Sequence, residues 1–380
     1  MPAVNPMLEI ADVIAEYGGE ALHLCMQCGT CTGVCPWNLV TSYSPRQMLR
    51  QVSLGLEGPE EAVWNCVTCN TCVSRCPRGI ELIEVLRAVR ALMIEQGTTP
   101  EGLGGPLSSL RSDGNPWGGK REERTEWAHG LEVPAFTPDH DYCLFTCCTI
   151  AYDPRNKKVG RALVQLLQKV GLSFGTLDTE ESCCGDQARK IGADDVFQQL
   201  ARANTELFLE RGVRRILVIS PHCLNALAKD YRDLDGAFVG EHYTEVLDRL
   251  ISAGGLTPAH EVGRSVTFHD PCYLGRHNGI YDAPRRVLQS IPGLELIEMP
   301  RCRENSLCCG GGGGGAWSEY PVEERFAVLR VREALDTGAE FIATACPYCT
   351  LMLEDAVNVL NAGDQIAVRD VAELLAQSVG

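Results

Sequence analysis

Twenty cysteines in a chain of 380 residues fall into four ordered blocks, and no other feature restricts the fold as tightly. The first two blocks share one spelling, Cys25-x2-Cys28-x2-Cys31-x3-Cys35-Pro36 and Cys66-x2-Cys69-x2-Cys72-x3-Cys76-Pro77. The other two are built around adjacent pairs, Cys183-Cys184-Gly185 and Cys308-Cys309-Gly310, with further cysteines at matched distances. Thiolates in this number and order call for soft-metal chemistry, above all iron–sulfur clusters that move electrons.

Disulfides are the other reading of so many cysteines, and they are not expected. A secreted disulfide scaffold is short and follows a signal peptide, whereas this chain is long and its start lacks a basic segment followed by an apolar one. No stretch approaches the roughly 20 apolar residues that span a bilayer. The expectation is a cytoplasmic protein, or one held at the cytoplasmic membrane face through partner subunits. With 34 basic against 50 acidic residues the formal charge is −16. That balance excludes a nucleic-acid partner, because phosphate binding needs a concentrated basic surface.

The chain divides by pattern. Residues 1–96 hold the first two blocks, with helices expected at Met7–Gly18, Pro45–Gly55, Pro59–Trp64 and Ile80–Gln96. In the last of these, Ile83, Leu86, Val89 and Met93 recur at helical spacing. Residues 97–140 are rich in glycine and proline and are expected to be a linker, with Trp117 and Trp127 packing it onto a domain. The remainder is an internal repeat, 141–260 and 261–380, in which strands alternate with helices around each Cys-Cys-Gly. The fold class is therefore α+β and multi-domain: an N-terminal α-helical ferredoxin module plus two α/β lobes built from βαβ units.

In each Cys-x2-Cys-x2-Cys-x3-Cys-Pro run three thiolates hold one cubane and the fourth crosses to its neighbour. One 4Fe-4S cluster is thus assigned to Cys25, Cys28, Cys31 and Cys76, and the other to Cys66, Cys69, Cys72 and Cys35. A pair of zinc sites is the alternative, and tandem copies of this spelling are more typical of clusters. In the last lobe five cysteines are spaced Cys272-x35-Cys308-Cys309-x36-Cys346-x2-Cys349. Five thiolates with an adjacent pair exceed the needs of one cubane, so an unusual cluster is expected. The first lobe reads Cys147-x35-Cys183-Cys184-x38-Cys223, with Ser220 standing where the other lobe has Cys346. The repeated x35 spacing favours Cys147 over Cys148 as its first ligand.

A ferredoxin module containing Cys25-Met-Gln-Cys28-Gly-Thr-Cys31 and Cys66-Val-Thr-Cys69-Asn-Thr-Cys72, followed by two Cys-Cys-Gly domains, resembles the D subunit of heterodisulfide reductase. The resemblance implies a noncubane 4Fe-4S cluster on Cys272, Cys308, Cys309, Cys346 and Cys349 that cleaves a disulfide. For the first lobe (Cys147, Cys183, Cys184 and Cys223) a conventional cluster, zinc and no metal all stand open.

Among neighbouring residues, His269 is a candidate proton donor to a departing thiolate, with a core role as the alternative. His222 is a candidate replacement for the thiolate missing at Ser220. Gly310, Gly311 and Gly312, within the run Gly310–Gly315, are candidates for close backbone approach to cluster or substrate. Cys143, Cys148 and Cys302 fall outside the repeat and are expected as free thiols. The expected activity is an oxidoreductase subunit, passing electrons through two cubanes to the noncubane site. The partner is a membrane b-type cytochrome linked to quinone, or a soluble flavoprotein. The rival is an electron-relay subunit of a flavin-dependent dehydrogenase of glycolate, lactate or glycerol 3-phosphate, or of a benzoyl-CoA-reductase-type complex.

Overall fold

A computed structural model describes residues 8–56, 62–232, 234 and 238–379. Two four-stranded sheets organise the C-terminal two-thirds. The first holds β1 (Tyr142–Phe145), β2 (Phe174–Gly175), β3 (Arg215–Val218) and β4 (Val239–His242) in the order β2-β1-β3-β4. The second holds β5 (Arg264–Phe268), β6 (Leu294–Leu296), β7 (Phe341–Thr344) and β8 (Ala367–Asp370) in the same relative order, β6-β5-β7-β8. All pairings are parallel. A central parallel strand is covered on both faces, which is why β1 reads Tyr-Cys-Leu-Phe without alternation and is buried throughout.

Crossover helices supply that cover. Pro154–Lys169 starts where Asp153 accepts a hydrogen bond from the Asn156 amide at 2.8 Å, with Pro154 in the first turn. Its stripe of Val159, Leu163, Val164 and Leu167 is buried. The lobes pack reciprocally: Pro154–Lys169 lies against Val371–Val379, and Tyr243–Ser252 lies against Asp282–Gln289. Each contact joins the first crossover helix of one lobe to the last helix of the other, as an approximate two-fold between repeats produces.

Helical expectations hold with shifted ends. Leu8–Ile14, Pro45–Ser53 and Leu82–Glu95 are α-helices, while the stretch expected from Pro59 begins outside the described residues and continues as a short 3-10 turn, Ala62–Asn65. Strands β4 and β8, each the last of its sheet, went unread in the sequence because Val239-Gly-Glu-His and Ala367-Val-Arg-Asp lack an apolar run.

The glycine-rich stretch differs from its expectation. Glu101–Asp113 is a helix of 13 residues that contains Gly102, Gly104, Gly105 and Pro106. Leu103, Leu107 and Leu110 form a buried stripe, and that burial outweighs poor helix propensity. Gly102 is required there, because a Cβ would lie 2.4 Å from the Trp317 carbonyl. Trp127 is buried, and Trp117 packs on Trp317 with ring centroids 5.4 Å apart.

One buried side chain fastens the three units together. Arg90 is 1% exposed, and its guanidinium donates to the carbonyls of Val63, Trp64 and Cys66, of Lys190 in the first lobe, and of Gly313 in the second. Arg90→Met would leave these carbonyls without a donor, at a cost of about 3 kcal/mol or more. The expected outcome is a thermal unfolding midpoint lowered by several degrees, read by circular dichroism under anaerobic conditions.

Candidate metal centre

The two N-terminal blocks adopt one backbone conformation twice. Gln27 (φ 59°) and Gly29 (φ 86°) are left-handed in the first, and Thr68 (φ 52°) and Asn70 (φ 65°) in the second. Left-handed residues alternating with right-handed ones curl the loop and turn its N–H groups into a concave nest suited to an anionic cluster. Matched hydroxyls support one thiol in each: Thr30 Oγ1 lies 3.4 Å from Cys28 Sγ, and Thr71 Oγ1 3.4 Å from Cys69 Sγ. Two hollows result. Cys25, Cys28, Cys31, Cys72 and Cys76 line one, and Cys35, Cys66, Cys69 and Cys72 line the other. The fourth cysteine of each block therefore sits with the other block. Burial pushes the thiols of Cys35, Cys66 and Cys72 up, so a bound cation is what would deprotonate them.

In the second lobe the five cysteines come from three places. Cys272 follows β5, Cys308 and Cys309 lie on the loop before the glycine run, and Cys346 and Cys349 open the helix Pro347–Val359. Cys272 Sγ lies 3.8 Å from Cys308 Sγ, and Cys349 Sγ lies 3.4 Å from Cys309 Sγ. The Gly310 amide donates to Cys308 Sγ at 3.3 Å. A ring nitrogen of His269 and the sulfurs of Cys309 and Cys349 lie within 4.8 Å of one another. His269 accepts at Nδ1 from Arg330 Nε (3.1 Å), which leaves its ring proton on Nε2. Contacts from Cys308 and Cys349, with His269 beyond them, hold the Cys309 thiol well below its ordinary value against the effect of burial. For Cys346 burial acts upward, and contacts from Cys349 and His222 overcome it to about 6.

Two contacts define how this set sits in the molecule. The thiols of Cys69 and Cys308 touch, and that contact, aided by Arg276 and opposed by burial, lowers Cys69 to about 5. The loop after Cys272 embraces the Cys69 turn, through Arg276 Nε to Cys69 O (2.7 Å), His277 Nε2 to Thr68 O (2.8 Å) and Tyr273 Oη to Thr68 Oγ1 (3.0 Å). A cleft of about 530 Å³ reaches Cys309 and Gly310 between Trp37, Tyr320, Phe326 and Met352. Gly311 faces Met352, while Gly312 and Gly313 make their close approach to the backbone of Val67 and Cys66, each to a carbonyl 2.6 Å from an added Cβ. The glycine run thus lies between cleft and ferredoxin loop.

The first lobe departs from two expectations. Sheet register sets its alignment: Phe145 pairs with Val218, two residues before Ser220, and the amide of His269, two residues before Pro271, bonds Ala343 O beside Thr344, two before Cys346. Counting on from Phe145 and His269, the counterpart of Cys272 is Cys148, and Cys147 matches Pro271. Cys148 touches Cys183 as Cys272 touches Cys308, so the repeated x35 spacing pointed to the wrong member of the pair. Cys148 is therefore part of the thiol group, which also gathers Cys147, Cys183, Cys184 and Cys223, all buried. His222 does not fill the gap left by Ser220: Asp186 holds its Nδ1 at 2.7 Å, and the ring stacks on Tyr273 and contacts Cys346 of the other lobe. Cys143 is buried in β1 and Cys302 partly buried, both outside the groups.

Sequence reasoning missed Arg90, Arg276 and Tyr273. A charged residue on the buried stripe of Leu82–Glu95, four after Leu86, was the available signal for Arg90.

A family profile described as a 4Fe-4S dicluster domain matches residues 24–81, and a cysteine-rich domain profile matches twice, at 142–228 and 266–354. The fold and its cysteine groups thus define an iron–sulfur oxidoreductase. The D subunit of the dihydromethanophenazine:CoB–CoM heterodisulfide reductase of Methanosarcina barkeri is 32% identical, over 94% of this chain and 94% of that protein. The chain belongs to the family of heterodisulfide reductase D subunits. It is also 38% identical to the probable iron-sulfur-binding oxidoreductase FadF of Bacillus subtilis (76% of this chain, 42% of that protein). The EtfAB:quinone oxidoreductase of Syntrophomonas wolfei is likewise 38% identical (83% and 46%), so the chain spans less than half the length of these two relatives. A crystal structure of a hypothetical protein from Helicobacter pylori shares the fold, with a TM-score of 0.51 and 12% identity over 98% of this chain and 67% of that one. Among the described residues no helix is long and apolar enough to cross a membrane.

The exchange of fourth cysteines makes a counter-intuitive expectation. If each hollow takes a cluster, Cys35→Ala should abolish the signal of the one beside Cys66, Cys69 and Cys72, and Cys76→Ala that of the one beside Cys25, Cys28 and Cys31. Iron analysis and electron paramagnetic resonance of the reduced variants read this directly. Loss of the cluster of the variant's own block would refute the exchange.

Proposed function

We propose that this chain carries electrons from its N-terminal module into the second cysteine-rich lobe, where a disulfide is reduced to thiols at the floor of the cleft. The observation that supports it best is the contact of Cys69 with Cys308, which joins the two thiol groups directly. Cys25, Cys28, Cys31 and Cys76 would hold one cubane, Cys35, Cys66, Cys69 and Cys72 the next, and Cys272, Cys308, Cys309, Cys346 and Cys349 the noncubane cluster. When bound, these groups supply one-electron transfer and, in the second lobe, an iron surface with affinity for sulfur.

The balanced reaction is R–S–S–R′ + 2 e⁻ + 2 H⁺ → R–SH + R′–SH. The S–S bond breaks, the disulfide is reduced, and a partner protein is oxidised. A quinone-linked b-type cytochrome or a reduced flavoprotein is the class of electron donor, and the reverse direction uses the same parts. The cleft sets what enters. Trp37, Tyr320, Phe326 and Met352 offer an apolar wall, while Glu319, Glu324 and Asp355 outnumber Arg325 at the mouth. That balance favours a substrate without net negative charge. The Nε2 proton of His269 points the ring's donor toward the Cys309 side.

A second reading follows from the 38% identity to the EtfAB:quinone oxidoreductase: an electron relay between a flavoprotein and quinone, with no substrate bond broken in this chain. The oxidised, anaerobically purified protein separates the two. A paramagnetic signal that changes on adding thiols supports disulfide chemistry. No response to thiols, together with co-purification of a flavoprotein, supports the relay. Zinc in place of iron, or fewer than about eight irons per chain, overturns both, since two cubanes alone need that many. Ala316→Trp, which places an indole in the cleft, is expected to lower disulfide turnover at least tenfold with iron content unchanged. Turnover equal to the parent would move the site elsewhere.

A further inference from the structure

The two lobes order their thiols in the same way. In the second, contacts run Cys272–Cys308–Cys309–Cys349–Cys346. In the first they run Cys148–Cys183–Cys184–Cys223 and then to Cys147. The last place, filled by Cys346 in one lobe, is filled in the other by a residue from a different strand end. Ser220 holds the sequence position of that thiolate, is fully buried, and its hydroxyl has no partner among the described residues.

The backbone of Cys147 is unusual in the same direction. Its φ of 74° with ψ of 139° lies in a region that side chains other than glycine's avoid. Such strain persists only where the surroundings over-determine it. Here Glu181 anchors the turn, accepting from the Thr146 amide at 2.9 Å and the Cys147 amide at 3.2 Å. Arg124 in turn binds Glu181 and reaches Cys148 Sγ at 3.5 Å. The Gly185 amide donates to Cys183 Sγ at 3.4 Å, as Gly310 does to Cys308.

We infer that Cys147 is the relocated fifth thiolate of the first lobe, replacing the one absent at Ser220, and that this lobe holds an iron–sulfur cluster with the same number of protein ligands as the second. The inference rests on the reading that the five thiols of the second lobe hold such a cluster, which Cys272→Ser tests by itself.

The test uses the full chain, purified anaerobically and read by iron and zinc analysis and by Mössbauer spectroscopy. Cys147→Gly is the informative variant. Glycine accepts φ 74° without strain, so a purely structural role predicts unchanged iron and equal or higher stability. A ligand role predicts the loss of the first-lobe iron, up to about four atoms per chain, with the other clusters intact. The double variant Cys147→Gly/Ser220→Cys returns the thiolate to its position in the other lobe and should restore that iron. Full iron in Cys147→Gly, failure of Ser220→Cys to restore it, or zinc in the first lobe would each overturn the inference. Iron lost on Cys272→Ser but not on Cys147→Gly would leave the second-lobe reading standing and this one refuted. No loss in Cys272→Ser would refute the reading beneath it.

Discussion

The guanidinium of Arg90 is the point on which the arrangement of the three units depends. A buried cation is expensive unless its donors are matched. Among the described residues this one has no carboxylate bound to it; its donors go to backbone carbonyls, three from the loop that carries Cys66 and one from each lobe. Burial pulls its ionisation down, and the Cys66 thiol opposes that pull. A planar fork with five N–H groups serves so many acceptors where an ammonium would not. The consequence is positional: the loop of the second cysteine block is fixed against the glycine run, where Cys69 lies against Cys308. The wiring proposed for electrons is a by-product of how one arginine satisfies its hydrogen bonds.

How legible this was in the sequence depends on the range of the interaction. The lobes, the repeat and the helical module were readable because strand, turn and helix patterns are local. The expectation of a linker failed at Glu101–Asp113 because three leucines at helical spacing find a surface to cover, and composition does not record surfaces. The alignment of Cys147 failed for a related reason. Residue counting assumes loops of equal length, whereas sheet register measures equivalence in space and selects Cys148. His222 looked like a substitute ligand from its place between Ser220 and Cys223, yet only the facing lobe, through Tyr273 and Cys346, explains where its ring lies.

The same fold used twice also shows why the two lobes differ in access. After Cys183-Cys184-Gly185 the chain enters a buried helix, Asp186–Ile191, whose Arg189 and Lys190 pair with Glu84 of the ferredoxin module. Side chains there fill the space next to the thiols. After Cys308-Cys309-Gly310 the corresponding stretch is glycine, which has no side chain to fill the volume beside Cys309. The cleft lined by Cys309, Gly310 and Gly315 is what remains. The two loops even meet, with the Gly314 amide donating to Gln187 Oε1 at 3.0 Å, so the helix of one lobe props the glycine turn of the other. The number of gathered thiols alone therefore does not separate the lobes. A lobe with five gathered thiols behind a packed helix is suited to storing or passing an electron, and a lobe with five gathered thiols under an open cleft is suited to meeting a substrate. The asymmetry behind the proposal that the second lobe meets the substrate lies in the residues that follow each Cys-Cys-Gly.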